Sequence, residues 1–323
     1  MEADAGAGGL IQTFPCVVRL MLIQPMSGIG VPLIQSGPER FSLAPFHKYS
    51  STLKSLNVDF TPLPWAQIFD LIRSSPHLED LAISGRLLDN DDDLHGPQTV
   101  VPSSSLTGSL ELDIFGGMRN ITRQLLDLPS GLRFWKFLSL GNDVEAFRCM
   151  AELAAKCSDT LEFVDVKSYM PGAFILVLCW SCNLPSCIGD SSVDLSKATN
   201  LRDVVFQPVF SAVTWIITTL RTITSRHRDL QHISIQVPYE FTSINAGTDV
   251  LQTIGEVISG QWLDLDRLLV QLWESRSVRP RLIIATKLWE WELDARYCIG
   301  SLFPEVTQRG IVGLVEPVSS WHW

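Results

Sequence analysis

The chain has 323 residues, of which 46% are hydrophobic and 19% charged, a composition that excludes wholesale disorder. Its formal net charge of -10, without any basic stripe, excludes nucleic acid as the main ligand, because phosphate binding needs clustered cations. The longest apolar run, 173–180, is too short to span a bilayer, so no membrane partner is expected.

In chain order, residues 1–13 contain acidic residues and no basic n-region, so they are not a secretory signal and are expected to be disordered. From Phe14 to Gly310 a short phrase recurs: apolar, two variable residues, apolar, one variable residue, apolar. Clear copies are Leu53-Leu56-Val58, Leu78-Leu81-Ile83, Leu161-Val164-Val166, Leu201-Val204-Phe206 and Leu230-Ile233-Ile235. Looser copies start at Val17 (with Leu20 and Leu22), Thr107 (with Leu110 and Leu112) and Trp135 (with Leu138 and Leu140); Leu265, Leu268 and Val270 form a ninth candidate. In an extended chain the fourth and sixth positions share one face. One such unit cannot bury its apolar face alone, so stacking in a row is what stabilises it.

Helical stripes fill the intervals. Trp65, Ile68, Phe69 and Ile72 follow Pro62 and Pro64; Ile121, Leu125 and Leu128 come next; Val144, Phe147, Ala151 and Ala154 follow the N-cap candidates Asn142 and Asp143. Val213, Ile216, Ile217, Leu220 and Ile223 make another stripe, and Leu251, Ile254 and Ile258 one more. The stretch from Gln261 to Trp273 fits a helix as well as a repeat phrase. Loop insertions are expected near 86–105, acidic and then rich in Pro and Ser, and near 182–192. Residues 311–323 form a tail without an assigned role. The expected fold is therefore α/β: a leucine-rich-repeat-like solenoid, an irregular horseshoe with parallel strands on the concave side and helices on the convex side.

No catalytic constellation accompanies this pattern, and no enzyme activity, cofactor or metal is expected. Cys179 and Cys182 form a CxxC with Cys187 nearby, but no second pair follows to complete a zinc site. Asp89, Asp91, Asp92 and Asp93 lack the alternating ligands and closing Glu of a calcium loop. Gly28 to Gly30 lack the further glycine and helix start of a dinucleotide site. His77 and His232 are expected at or near the surface. Seven scattered cysteines, an odd number, point to a reducing compartment, cytoplasmic or nuclear. Among the tryptophans, Trp65, Trp135 and Trp215 are expected in the core, whereas alternation around Trp289 and Trp291 could expose one of them.

Several stretches resemble the F-box and leucine-rich-repeat proteins of mushroom-forming fungi. They are STLKSLNVDFTPLPWAQIFDLIRSSPHLEDLAISG (51–85), LTGSLELDIFGGM (106–118), VDLSKATNLRDVVF (193–206), HRDLQHISI (227–235) and IGEVISGQWLDLDRLLVQLWESRSVRPR (254–281). The resemblance covers the repeat region and implies substrate recognition for a cullin-type ubiquitin ligase. A Skp-type adaptor and cullin are implied only where an F-box precedes the repeats, and no segment before the first repeat resembles one. Leucine-rich repeats usually carry Asn or Cys three residues after the last apolar position. Here those places hold Thr61, Arg86, Phe115, Asp143, Tyr169, Val209 and Pro238, so a less regular array is expected.

Alternation also marks the binding face. Opposite the buried positions stand Ser55, Asn57 and Asp59; Asp80 and Ser84; Glu111 and Asp113; Phe163, Asp165 and Lys167; Asp203 and Gln207; and His232, Ser234 and Gln236. Six carboxylates and one lysine make this strip a candidate site for a basic or hydrogen-bond-rich segment of a protein partner.

Overall fold

Seven of the nine phrases fold as short strands in the expected frame, and the polar residues between them keep the strands one-sided. The computed structural model describes residues 16–23, 43–59, 65–86, 106–115, 118–128, 131–141, 144–168, 192–208, 213–237, 249–286, 300 and 302–313. The chain divides into two compact units, Met1–Trp135 and Lys136–Trp323.

Unit 1 contains strands β1 (Arg19–Ile23), β2 (Ser55–Asp59), β3 (Asp80–Arg86) and β4 (Ser109–Phe115), hydrogen-bonded in chain order and all parallel. Parallel neighbours need a crossover, supplied by a 3-10 turn at Ala44–Tyr49 and by helix α1 (Trp65–Ser74), with α2 (Met118–Leu126) following β4. Leu56, Val58, Leu81, Ile83, Leu110, Leu112 and Ile114 are buried on one sheet face, as are Ile68, Phe69, Leu71 and Ile72 of α1 and Ile121 and Leu125 of α2. Gly108 admits the tight entry to β4: a Cβ there would lie 2.3 Å from Asp80 Oδ1 and 2.9 Å from the Glu79 carbonyl oxygen.

Unit 2 contains β5 (Lys136–Gly141), α3 (Val144–Lys156), β6 (Phe163–Ser168), β7 (Asp203–Gln207), α4 (Thr214–Arg221), β8 (His232–Val237), α5 (Asp249–Glu274), β9 (Arg281–Thr286), α6 (Pro304–Gln308) and β10 (Val312–Gly313). These strands are again parallel and in chain order. Trp215 of α4 is fully buried, with ring centroids 5.1 Å from Phe147 of α3 and 5.6 Å from Phe206 of β7, so strand face and helix stripe share one core. Entry to each strand repeats one main-chain step. The N–H groups of Arg202 and Asp203 donate to the Glu162 carbonyl at 2.7 and 3.1 Å, and those of Gln231 and His232 to the Arg202 carbonyl at 2.7 and 3.0 Å. Glu79 and Asp80 do the same to Lys54 in unit 1, at 2.8 and 3.0 Å.

Connections are held by buried polar groups with partners. His227 is fully buried; its Nε2 donates to the Leu195 carbonyl at 2.8 Å and its Nδ1 accepts the Thr224 N–H at 3.1 Å. Arg276 donates to the carbonyls of His227 and Thr224 at 2.7 and 2.8 Å, and burial pulls its guanidinium below the ordinary arginine range. Asp266 caps α6 by accepting the N–H groups of Glu305 and Val306 at 2.8 and 3.0 Å.

Three expectations are corrected. Trp135 is 45% exposed, because the repeat there runs one residue earlier, through Phe134, Phe137 and Ser139. Phe137 and Ser139 pair with the buried Val164 and Val166, which turns Leu138 to the other face, where it is still buried. Leu265, Leu268 and Val270 lie on α5; they are a helical stripe and not a ninth strand. The ninth strand is β9, whose phrase lacks its first apolar residue because exposed Arg279 stands there. Val312 and Gly313, in the stretch read as tail, pair with Leu282 and Ile283 of β9. Residues 87–105 and 182–191 of the insertions, the CxxC cysteines, the acidic run, the Gly28–Gly30 stretch, Trp289 and Trp291 lie outside the described residues, and so do the side chains at the seven Asn/Cys places and that of Trp65.

Candidate functional site

The side chains opposite the buried positions form an outward face in each unit, because a strand directs successive residues to opposite sides. Register then groups them in rows across the strands. In unit 1, Arg19, Ser55 and Asp80 share a row, Met21, Asn57, Ala82 and Glu111 the next, and Asp59, Ser84 and Asp113 another. Ser55, Asn57, Asp80, Ser84 and Asp113 are half-buried; Asp59 and Glu111 are exposed, as is Met21 at 50%. Asp80 is already engaged: its Oδ1 accepts from both the N–H and the hydroxyl of Ser109 at 2.8 Å.

In unit 2, one row reads Lys136, Phe163, Asp203, His232 and Arg281, and the next reads Leu138, Asp165, Val205, Ser234 and Ile283. Lys167 and Gln207 are paired beyond them, as are Gln236 and Ala285. Asp165 is a further correction: it is 3% exposed and takes the Gln207 Nε2–H groups at 3.0 Å on both oxygens, so it is part of the structure and not a free surface charge. Asp203 binds His232 Nδ1 at 2.5 Å. The Lys136 ammonium lies 5.2 Å from the Phe163 ring centroid, within cation–π range.

Sequence reading missed Leu138, Val205, Ile283, Lys136 and Arg281 on this face. Leu138 was hidden by the frame shift in β5. Ile283 and Arg281 were hidden with β9. Lys136 was hidden with Leu138 by the same shift, whereas Val205 was legible from alternation in β7.

No protein-family profile matches this chain, and no curated protein matches it. No three His, Cys, Asp or Glu side chains among the described residues cluster as metal ligands would, and no helix among them is long and apolar enough to cross a membrane. His77 is exposed and His232 half-buried. The arrangement offers hydrogen-bonding and charged groups spaced by the sheet repeat, about 4.8 Å between strands. That spacing suits contact with another polypeptide.

Proposed function

We propose that this protein is a non-enzymatic recognition module that binds another protein across the outward faces of its parallel strands. In this reading the repeats form a leucine-rich-repeat-like solenoid, with strands on the concave side and helices on the convex side. The observation that carries it is the repeated one-sided strand: buried positions alternate with less buried, mostly polar ones through β2 in unit 1 and through β7 and β8 in unit 2, which presents an ordered outward surface in each. On the unit 1 face Asp59, Glu111 and Asp113 favour a basic or hydrogen-bond-rich segment.

Affinity purification of the tagged chain from its own cells, followed by mass spectrometry, tests the reading. Stable protein partners lost on joint Asp59→Asn, Glu111→Gln and Asp113→Asn substitution are the expected result; recovery unaffected by those changes would remove the site. A second reading, a ubiquitin-ligase substrate receptor, is favoured by the resemblance across residues 51–85, 106–118, 193–206, 227–235 and 254–281. Recovery of a Skp-type adaptor and cullin with a version extended by upstream-encoded residues is its expected signature.

A further inference from the structure

We infer that the outward face of unit 2 recognises an acidic, extended protein segment whose alternate apolar side chains rest on Val205 and Ile283. This rests on the recognition reading above and deepens it, by giving the second unit a charge preference opposite to the first. Both carboxylates of this face have partners within the fold: Asp165 is buried against Gln207, and Asp203 is bonded to His232. The cations Lys136, Lys167 and Arg281 stand around them, with Arg281 exposed and the two lysines half-buried. Between the cations, Val205, Ser234 and Ile283 form a half-buried row of low polarity.

Hydrogen bonding leaves the charges of Asp165 and Asp203 in place, but three cations against two carboxylates give this face a positive formal charge, so its charge complement is anionic, and its central row is suited to small apolar side chains. An extended segment alternates its side chains, so one face can set apolar groups on the row while carboxylates reach the flanking cations. A glutamate or aspartate meeting Lys167 or Arg281 gains on-rate and selectivity from the opposite charge.

The probes are two fluorescein-labelled extended peptides, one alternating glutamate with valine and one alternating lysine with valine, titrated against the full chain by anisotropy. The expected result is binding of the glutamate peptide, weakened about tenfold or more by joint Lys136→Glu, Lys167→Glu and Arg281→Glu substitution and unchanged by the unit 1 neutralisations. Circular dichroism checks the folding of the variants. A salt titration of the unmodified chain supplies the variant-free readout, with affinity for the glutamate peptide falling as salt rises. If only the lysine peptide binds, and the unit 1 substitutions abolish that binding, this inference is overturned while the recognition reading stands. If the glutamate peptide binds equally well to the charge-reversed chain or without salt dependence, the assigned face is wrong. Failure of both peptides to bind overturns the inference, and cellular purification then judges the broader reading on its own.

Discussion

The two units carry the same strand phrase but dispose of their outward carboxylates differently. In unit 1, Asp59 and Glu111 reach the surface, Asp113 is half-buried, and Asp80 is tied down by Ser109. In unit 2, Asp165 is buried against Gln207 and Asp203 is held by His232. A carboxylate on a strand face is thus a surface charge or a structural part depending on what its row and diagonal neighbours offer. Residue type and alternation do not distinguish the two cases.

The largest expected effect tests the tight packing behind unit 1's tied carboxylate. Gly108→Ala forces Cβ against Asp80 Oδ1 and the Glu79 carbonyl, and should lower stability by about 3 kcal/mol in denaturant unfolding. Tolerance of alanine would show that the Asp80–Ser109 contact is not rigid. Next, Asp165→Ala should cost about 2 kcal/mol, because it strands the Gln207 amide and removes a buried acceptor. A loss as small as that of a surface aspartate would break the contrast between the units.

Ser139→Val should act in the opposite direction, raising stability by about 1 kcal/mol. Ser139 occupies an inward position paired with Val166, and its buried hydroxyl has no hydrogen-bond partner among the described residues. A destabilised variant would mean that the frame assigned to β5 is wrong.

Asp266 gives a pH-dependent test. Burial raises its carboxyl above the ordinary 3.8, outweighing the two backbone N–H groups that pull it down. The folded chain then holds this proton more tightly than the unfolded chain, so the group's contribution is fully present below the ordinary value and is lost as pH rises through the raised one. The stability of the unmodified chain relative to Asp266→Asn should therefore decline across that window. A rise with pH would mean that the N–H groups dominate. The smallest effect belongs to exposed Glu111, where Glu111→Gln should change stability by less than about 0.5 kcal/mol while altering partner binding.

Much of the architecture was legible because apolar periodicity directly encodes burial. Leu53, Leu56 and Val58, or Leu230, Ile233 and Ile235, have one frame that buries every apolar residue, and the structure uses it. The segment at Phe134 to Leu140 has two competing frames. Leu138 and Leu140 favour one by residue type, yet Phe134 and Phe137 decide for the other, at the expense of a buried Ser139. The stripe at Leu265 to Val270 was ambiguous between periods of two and 3.6 residues, and helix α5 resolved it.

By itself, then, the sequence determined the alternation of strand and helix, the inward residues of seven strands, and most of the polar side chains opposite them on those strands, since these follow from periods of burial along the chain. Only the tertiary structure decided the frame of β5, the existence of β9, and the partners of Asp80, Asp165 and Asp203. Those depend on which residues neighbouring strands bring alongside across the sheet, and that information is not carried by any single segment.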